Sequence, residues 1–218
     1  MNEYIDHTLL KPEASTEQIK TLCEEANKYN FKSVCVNAGH ISLCRELLKD
    51  SDTLVCTVVG FPLGATTSDT KAYETKEAIS NGADEIDMVI NIGALKEGLD
   101  DVVKEDIQKV VKAAEGKIVK VIFETCLLNE EEISRACELA IESGAHFIKT
   151  STGFSSGGAT KEAVTLMLKK AAGRALVKAS GGIRSYEDAS AFIEMGVKRL
   201  GTSSGVKIMA GEVSNESY

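Results

Sequence analysis

The chain has 218 residues, 43% of them hydrophobic and 27% charged, enough to build a full apolar core in one or two domains. Its formal charge of −8 argues against nucleic acid as a partner, which needs a basic footprint to release counterions. No run approaches the ~18 apolar residues of a membrane helix, and the opening Met-Asn-Glu-Tyr-Ile-Asp lacks the charged and apolar regions of a signal peptide.

In chain order, short β-branched runs predict strands at residues 4–8, 33–37, 54–60, 85–91, 119–124, 147–151, 175–179 and 199–202. They recur at roughly the interval that a βα unit occupies. Amphipathic helices lie between them. Ser15 with Gln18, and Asn129 with Glu132, read as capping boxes, while Thr160 and Ser185 read as caps of two later helices. Asn81-Gly82-Ala83, Ser143-Gly144-Ala145 and Met195-Gly196-Val197 each place a glycine where a helix ends in the left-handed region. No linker or low-complexity tract divides the chain. Eight βα units without a GxGxxG turn predict an α/β fold, a TIM (β/α)8 barrel formed as one domain over residues 1–218, with its active site at the C-terminal strand ends.

Cys23, Cys35, Cys44, Cys56, Cys126 and Cys137 include no Cys-x-x-Cys pair. Most fall at apolar positions and read as the reduced, buried thiols of a cytoplasmic protein. With three scattered histidines, no metal-ligand spacing emerges, so no metal and no cofactor are expected.

Side chains alternate along a strand, so parity sorts inward from outward positions. The apolar residues Ile86, Met88 and Ile90, and Val119, Val121 and Phe123, belong to the helix-covered face. That leaves Asp87, Lys120 and Glu124 pointing into the barrel. Lys149 and Lys178 fall inward on the same logic, at similar heights on neighbouring strands. A single strand lysine is usually an end residue that reaches for water, but several charges in one interior need another account. They could be a structural network that fixes barrel register. They could also be reactive: an amine beside another cation in a low-dielectric pocket is expected to lose proton affinity and so become a nucleophile toward aldehydes.

Two glycine-rich turns follow the seventh and eighth strands, Ser180-Gly-Gly-Ile-Arg184 and Gly201-Thr-Ser-Ser-Gly205. Backbone amides and hydroxyls there suit a phosphate, at the position where such barrels frequently hold one. Ser155-Ser-Gly-Gly158, after the sixth strand, reads either as a mobile lid or as a flexible turn.

The segments Ile5-Asp-His-Thr-Leu9, Gly60-Phe-Pro-Leu-Gly64, Glu85-Ile-Asp-Met-Val-Ile-Asn91, Phe147-Ile-Lys-Thr-Ser-Thr-Gly153, Leu176-Val-Lys-Ala-Ser-Gly-Gly-Ile-Arg184 and Gly201-Thr-Ser-Ser204 occur in that order. Together they resemble the motifs of the deoxyribose-phosphate aldolases, over nearly the whole chain. The resemblance implies a metal-independent class I aldolase that reversibly cleaves 2-deoxy-D-ribose 5-phosphate to acetaldehyde and D-glyceraldehyde 3-phosphate. It implies that Lys149 forms the Schiff base, that Asp87 and Lys178 relay protons, and that Gly181, Gly182, Gly201, Ser203 and Ser204 hold the phosphate. Asp6, Thr8, Cys35 and Thr152 fall at the family's substrate-facing positions. The partners implied are small phosphorylated sugars and aldehydes, and a homo-oligomer, dimer or tetramer. Phe154 stands where some members carry a lysine, which shifts phosphate binding toward amides and hydroxyls, with Arg184 able to compensate. The terminal Tyr218 reads either as part of a disordered tail or as a residue that closes over the substrate and helps proton transfer. Two other readings stand beside this one: a different Schiff-base or transaldolase-like barrel, and a sugar-phosphate-binding barrel whose interior charges are structural.

Overall fold

The computed structural model describes residues 1–215, so the expectation for Tyr218 lies outside the described residues. Eight parallel strands close on themselves in sequence order: β1 Ile5–Leu9, β2 Ser33–Val36, β3 Leu54–Val59, β4 Glu85–Val89, β5 Ile118–Ile122, β6 Phe147–Lys149, β7 Leu176–Ser180 and β8 Arg199–Thr202. Among the described residues nine α-helices accompany them: α1 Thr16–Tyr29, α2 Ile41–Leu47, α3 Ser68–Ser80, α4 Ile92–Lys96, α5 Asp100–Ala113, α6 Glu130–Glu142, α7 Lys161–Ala171, α8 Tyr186–Met195 and α9 Gly205–Met209. The fold is a TIM barrel. No helix among the described residues is long and apolar enough to cross a membrane.

Local chemistry fixes the helix starts. The Ser15 and Asn129 side chains accept the amides of Gln18 and Glu132, whose side chains accept the Ser15 and Asn129 amides in return. Thr160 and Ser185 cap α7 and α8 in the same manner, with one side-chain bond each. Gly82, Gly144 and Gly196 adopt φ of 104°, 87° and 110° past their helices. Strand ends depart from the sequence reading by one or two residues. Asn91, read as strand, instead caps α4 through Ala94 N–H at 3.1 Å. Past Lys149, Thr150 still donates its N–H to Lys178 O at 3.2 Å, and side-chain bonds add to the link with β7: Thr150 Oγ1 donates to Ser180 O, and Ser180 Oγ to Ser151 O.

The main apolar core fills the layer between strands and helices, where Ile86, Met88, Val121, Ile148 and Val177 meet Ile19, Ile107, Val110, Ile133 and Val164. Inside the barrel the apolar content is small: Leu10, Cys35, Cys56 and Val58, with Phe61 packed on them. The remaining inward positions mix charged residues with Val89, Ile122, Phe147, Ser33 and Ser180. Five of the six cysteines are buried, Cys126 is exposed, and all are free thiols.

The turn at residues 155–158 is pinned rather than open. Ala159 N–H donates to Gly181 O at 3.0 Å, and a Cβ on Gly158 would fall 2.2 Å from that same oxygen. Only glycine permits this approach between the loops after β6 and β7. We expect Gly158→Ala to cost about 1–3 kcal/mol by overpacking. Gly39→Ala, where an added Cβ meets nothing within 4 Å, should stay within about 0.5 kcal/mol of wild type. Urea unfolding of the two variants checks both.

Candidate active site

The interior charges come from inward positions of strands in register. Lys149 and Lys178 are directly paired across β6 and β7, and Asp87 is paired with Lys120 across β4 and β5. Asp87 is fully buried and lies between three ammonium groups. Its Oδ2 accepts from Lys149 Nζ at 2.7 Å and Lys178 Nζ at 2.8 Å, and its Oδ1 from Lys120 Nζ at 2.7 Å. Lys178 also bonds Asp6, and Lys120 pairs with Glu85 at 2.7 Å. Beneath them Arg199, at the start of β8, donates to both Asp6 and Glu85. Ser33 Oγ donates to Asp6 Oδ1 at 2.7 Å, and Thr8 Oγ1 to Asp6 O at 2.8 Å.

This geometry decides protonation. Burial alone would push the Asp87 carboxyl up, but Lys120, Lys149 and Lys178 outweigh it and hold the group well below the usual carboxylate range. Asp6 is likewise held low against its burial, by Lys178, Arg199 and Lys120. For Lys178 burial pulls downward, yet Asp6 and Asp87 prevail and raise it. Two carboxylates touch Lys178 and hold it as an ammonium, in keeping with the proton-relay role expected of it. Lys120 is raised for the same reason, chiefly by Asp87 once burial is overcome.

Among the described residues the interior ion-pair network holds three acids, Asp6, Glu85 and Asp87, against four bases, Lys120, Lys149, Lys178 and Arg199. Lys149 makes one ion pair, with Asp87, whereas each of the others makes at least two. Removing one positive charge from the interior makes the count even. It also sits on the last residue of β6, at the C-terminal mouth.

The glycine turns meet at one side of that mouth, where Gly182, Ile183, Arg184, Gly201, Thr202, Ser203 and Ser204 line a small pocket. Thr202 Oγ1 ties the two turns together by donating to Ile183 O at 2.8 Å, and it accepts the Ser204 amide at 3.0 Å. Gly182 and Ser203 are exposed, while Gly181, Gly201 and Ser204 are buried. Gly201 has a second reason to be glycine: a Cβ there would stand 3.2 Å from Lys178 Cε and 2.9 Å from Ser180 Cβ.

Cys35 and Cys56 face each other across β2 and β3 beside Asp87, with their donor atoms and that of Asp87 within 4.8 Å. Burial pushes the Cys56 thiol up, and it donates to Asp87 Oδ1 at 3.2 Å. The carboxylate of this trio is already engaged by ammonium groups. Phe154 stacks edge-on to Phe61 across the mouth, ring centres 5.3 Å apart.

Sequence reading singled out Asp6, Asp87, Lys120, Lys149 and Lys178, and the fold brings all five together. It passed over Glu85, Arg199, Ser33 and Cys56. The same alternation applied to Glu85 with Asp87, and to Arg199 with Gly201, would have turned both charges inward.

The shifts have a defined pH consequence. Carboxylates held low stabilise the fold above about pH 4 and lose that contribution as pH falls through their folded values. Lysines held high contribute below about pH 10.4 and lose it as pH rises further. The melting temperature is therefore expected to stay level from about pH 5 to 9 and to drop on either side. Arg199→Met, which takes one cation from Asp6 and one from Glu85 in a buried network, should cost about 3–5 kcal/mol at neutral pH, read by urea unfolding.

Comparison with known proteins agrees with this arrangement. Residues 1–211 match the family described as DeoC/LacD family aldolase. The chain is 61% identical to a deoxyribose-phosphate aldolase of Streptococcus sanguinis (strain SK36) over 218 residues, covering 100% of this chain and 99% of that protein. It is 59% identical to one of Geobacillus sp. (strain WCH70), covering 98% and 96%. Among solved structures, a tetrameric deoxyribose phosphate aldolase from Aeropyrum pernix superposes with a TM-score of 0.89 at 32% identity, covering 96% of this chain and 89% of that one. A barrel with amines and carboxylates converging at its C-terminal mouth, matched along its length by these relatives, belongs to the DeoC/LacD family of aldolases.

Proposed function

We propose that the chain is a carbon–carbon lyase that reversibly cleaves 2-deoxy-D-ribose 5-phosphate to acetaldehyde and D-glyceraldehyde 3-phosphate through a Schiff base on Lys149. The observation that carries this reading is the sharing of Asp87 Oδ2 between Lys149 and Lys178 at the barrel mouth.

The chemistry follows from that pairing. The neutral Lys149 amine adds to the C1 aldehyde, and loss of water gives a protonated imine. Removal of the C3 hydroxyl proton lets the C2–C3 bond break, its electrons passing into the iminium to leave an enamine. D-glyceraldehyde 3-phosphate departs. The enamine carbon then takes a proton, and water releases acetaldehyde and the free amine. Lys178, held as an ammonium, is the proton donor beside the reacting nitrogen, and Asp87 accepts from both amines and keeps them in line. Exposed Gly182 and Ser203 offer an amide and a hydroxyl to the phosphate, with Ser204 and Gly181 supporting the turns. Gly201 contributes chiefly by leaving room for Lys178. Asp6, Thr8 and Cys35 form the wall beneath and beside the reacting end of the substrate.

Residues 1–218 act as one catalytic unit in this reading, which the family match over residues 1–211 supports. A cytoplasmic setting fits the free thiols. A homo-oligomer is supported by the tetrameric relative and is read by light scattering.

Borohydride added with acetaldehyde should leave one reduced ethyl group on wild type, located at Lys149 by mass spectrometry, and none on Lys149→Met. Release of acetaldehyde from deoxyribose 5-phosphate separates this substrate from other sugar phosphates. Gly201→Ala should keep the adduct while turnover falls about a hundred-fold, since displacing a proton donor by ~1 Å costs that much. Equal turnover in Gly201→Ala would remove Lys178 from the proposed role.

A further inference from the structure

Glu124 was expected to line the interior from within a strand, but β5 ends at Ile122 and Glu124 lies beyond it with φ 59° and ψ 61°. Four non-glycine residues in the described part of the chain have positive φ. Asn30, Glu115 and Ala172 are exposed at the ends of helices, while Glu124 is 2% exposed. A left-handed non-glycine in a buried position persists only where its surroundings hold it there.

The surroundings are the Lys149 strand. Phe123 N–H donates to Lys149 O and Thr125 N–H to Thr150 O, each at 3.0 Å, so the left-handed residue sits between two bonds to the segment that carries the amine. That twist turns the carboxylate onto Thr152. Its Oε1 accepts the Thr152 amide at 3.3 Å, and its Oε2 accepts a very short bond from Thr152 Oγ1. Thr152 Oγ1 in turn accepts the Phe154 amide at 3.0 Å, and the Phe154 ring meets Phe61. No ion pair to Glu124 exists among the described residues. The buried charge is met by the Thr152 hydroxyl and amide, with the Cys126 thiol at 3.9 Å.

We propose that Glu124 is a positioning residue for the reaction at Lys149, its carboxylate fixing Thr152 and the chain that leaves β6 over the barrel mouth. The inference rests on the aldolase reading above. Bonding to Glu124 consumes the only proton of the Thr152 hydroxyl, and the Phe154 amide takes one of its two lone pairs. Thr152 is then left with a single lone pair, so it meets the substrate as an acceptor and selects a substrate hydroxyl that donates.

Two variants separate positioning from plain structure. Glu124→Gly relaxes the left-handed backbone, keeps the two flanking amides and removes the carboxylate. Glu124→Gln keeps the size but offers one oxygen to two donors. Both should melt close to wild type, with Glu124→Gly at or above it. Both should form the borohydride adduct with acetaldehyde, and both should lose about ten-fold or more in kcat/KM for deoxyribose 5-phosphate. Thr152→Val made in the Glu124→Gln background should cost less than about two-fold more, because the two residues act as one unit. Wild-type cleavage, run alongside, tests the aldolase reading; the ratio of variant to wild type tests this one. A ratio near one overturns the proposal. So does a loss of activity that follows a fall in melting temperature in both variants, or multiplicative losses in the double variant.

Discussion

One carboxylate organises the barrel. Asp87 accepts three ammonium groups inside a space from which water is largely excluded, and each of those lysines comes from a different strand. Isolated, any of these charges would cost several kcal/mol to bury. Together they exchange that cost for ion pairs that link β4 to β5, β6 and β7, and Asp6 extends the linkage to β1 and β8 through Lys178 and Arg199. Barrel closure and charge pairing are thus the same event. A strand slipped by one residue would turn its charge outward and leave a partner unpaired.

Parity explains why so much of this was legible. The outward faces of β4 and β5 are uniformly apolar, so Asp87 and Lys120 had only one direction left. The capping boxes at Ser15 and Asn129 and the left-handed Gly82, Gly144 and Gly196 follow from bonds between residues close in sequence. Other features depend on distant segments. Nothing near Arg199 announces that Asp6 and Glu85, 193 and 114 residues away, will meet it. Gly158 reads as a flexible turn until Gly181 O is found against it. Glu124 did not keep its place in the strand, because the chain twists left-handed one residue past Phe123, and no local signal marks that.

Sequence alone weighs the like charge beside Lys149 without the acids that lie between the two lysines. A second lysine beside Lys149 was expected to weaken proton affinity by repulsion between like charges. In the folded interior the carboxylates intervene, and Lys178 is bound as a cation by Asp6 and Asp87. Proximity of like charges counts only after the opposite charges between them have been included. The distinction between the two lysines lies in their ion pairs: two for Lys178, one for Lys149.

That asymmetry reconciles two demands on one network. A structural network favours equal numbers of acids and bases, and nucleophilic chemistry needs an amine without its proton. In the proposed reaction the ion-pair network of three acids and four bases meets both, because the nucleophile, Lys149, is the base with a single ion pair, at the mouth. Forming an imine on that amine and protonating it would, in the proposed reaction, place a cation beside Asp87, where Lys149 Nζ lies. The interior would then meet the proposed cationic intermediate with a carboxylate already oriented toward it, so little reorganisation would be needed as charge develops. The same pairing that closes the barrel prepares it for the reaction.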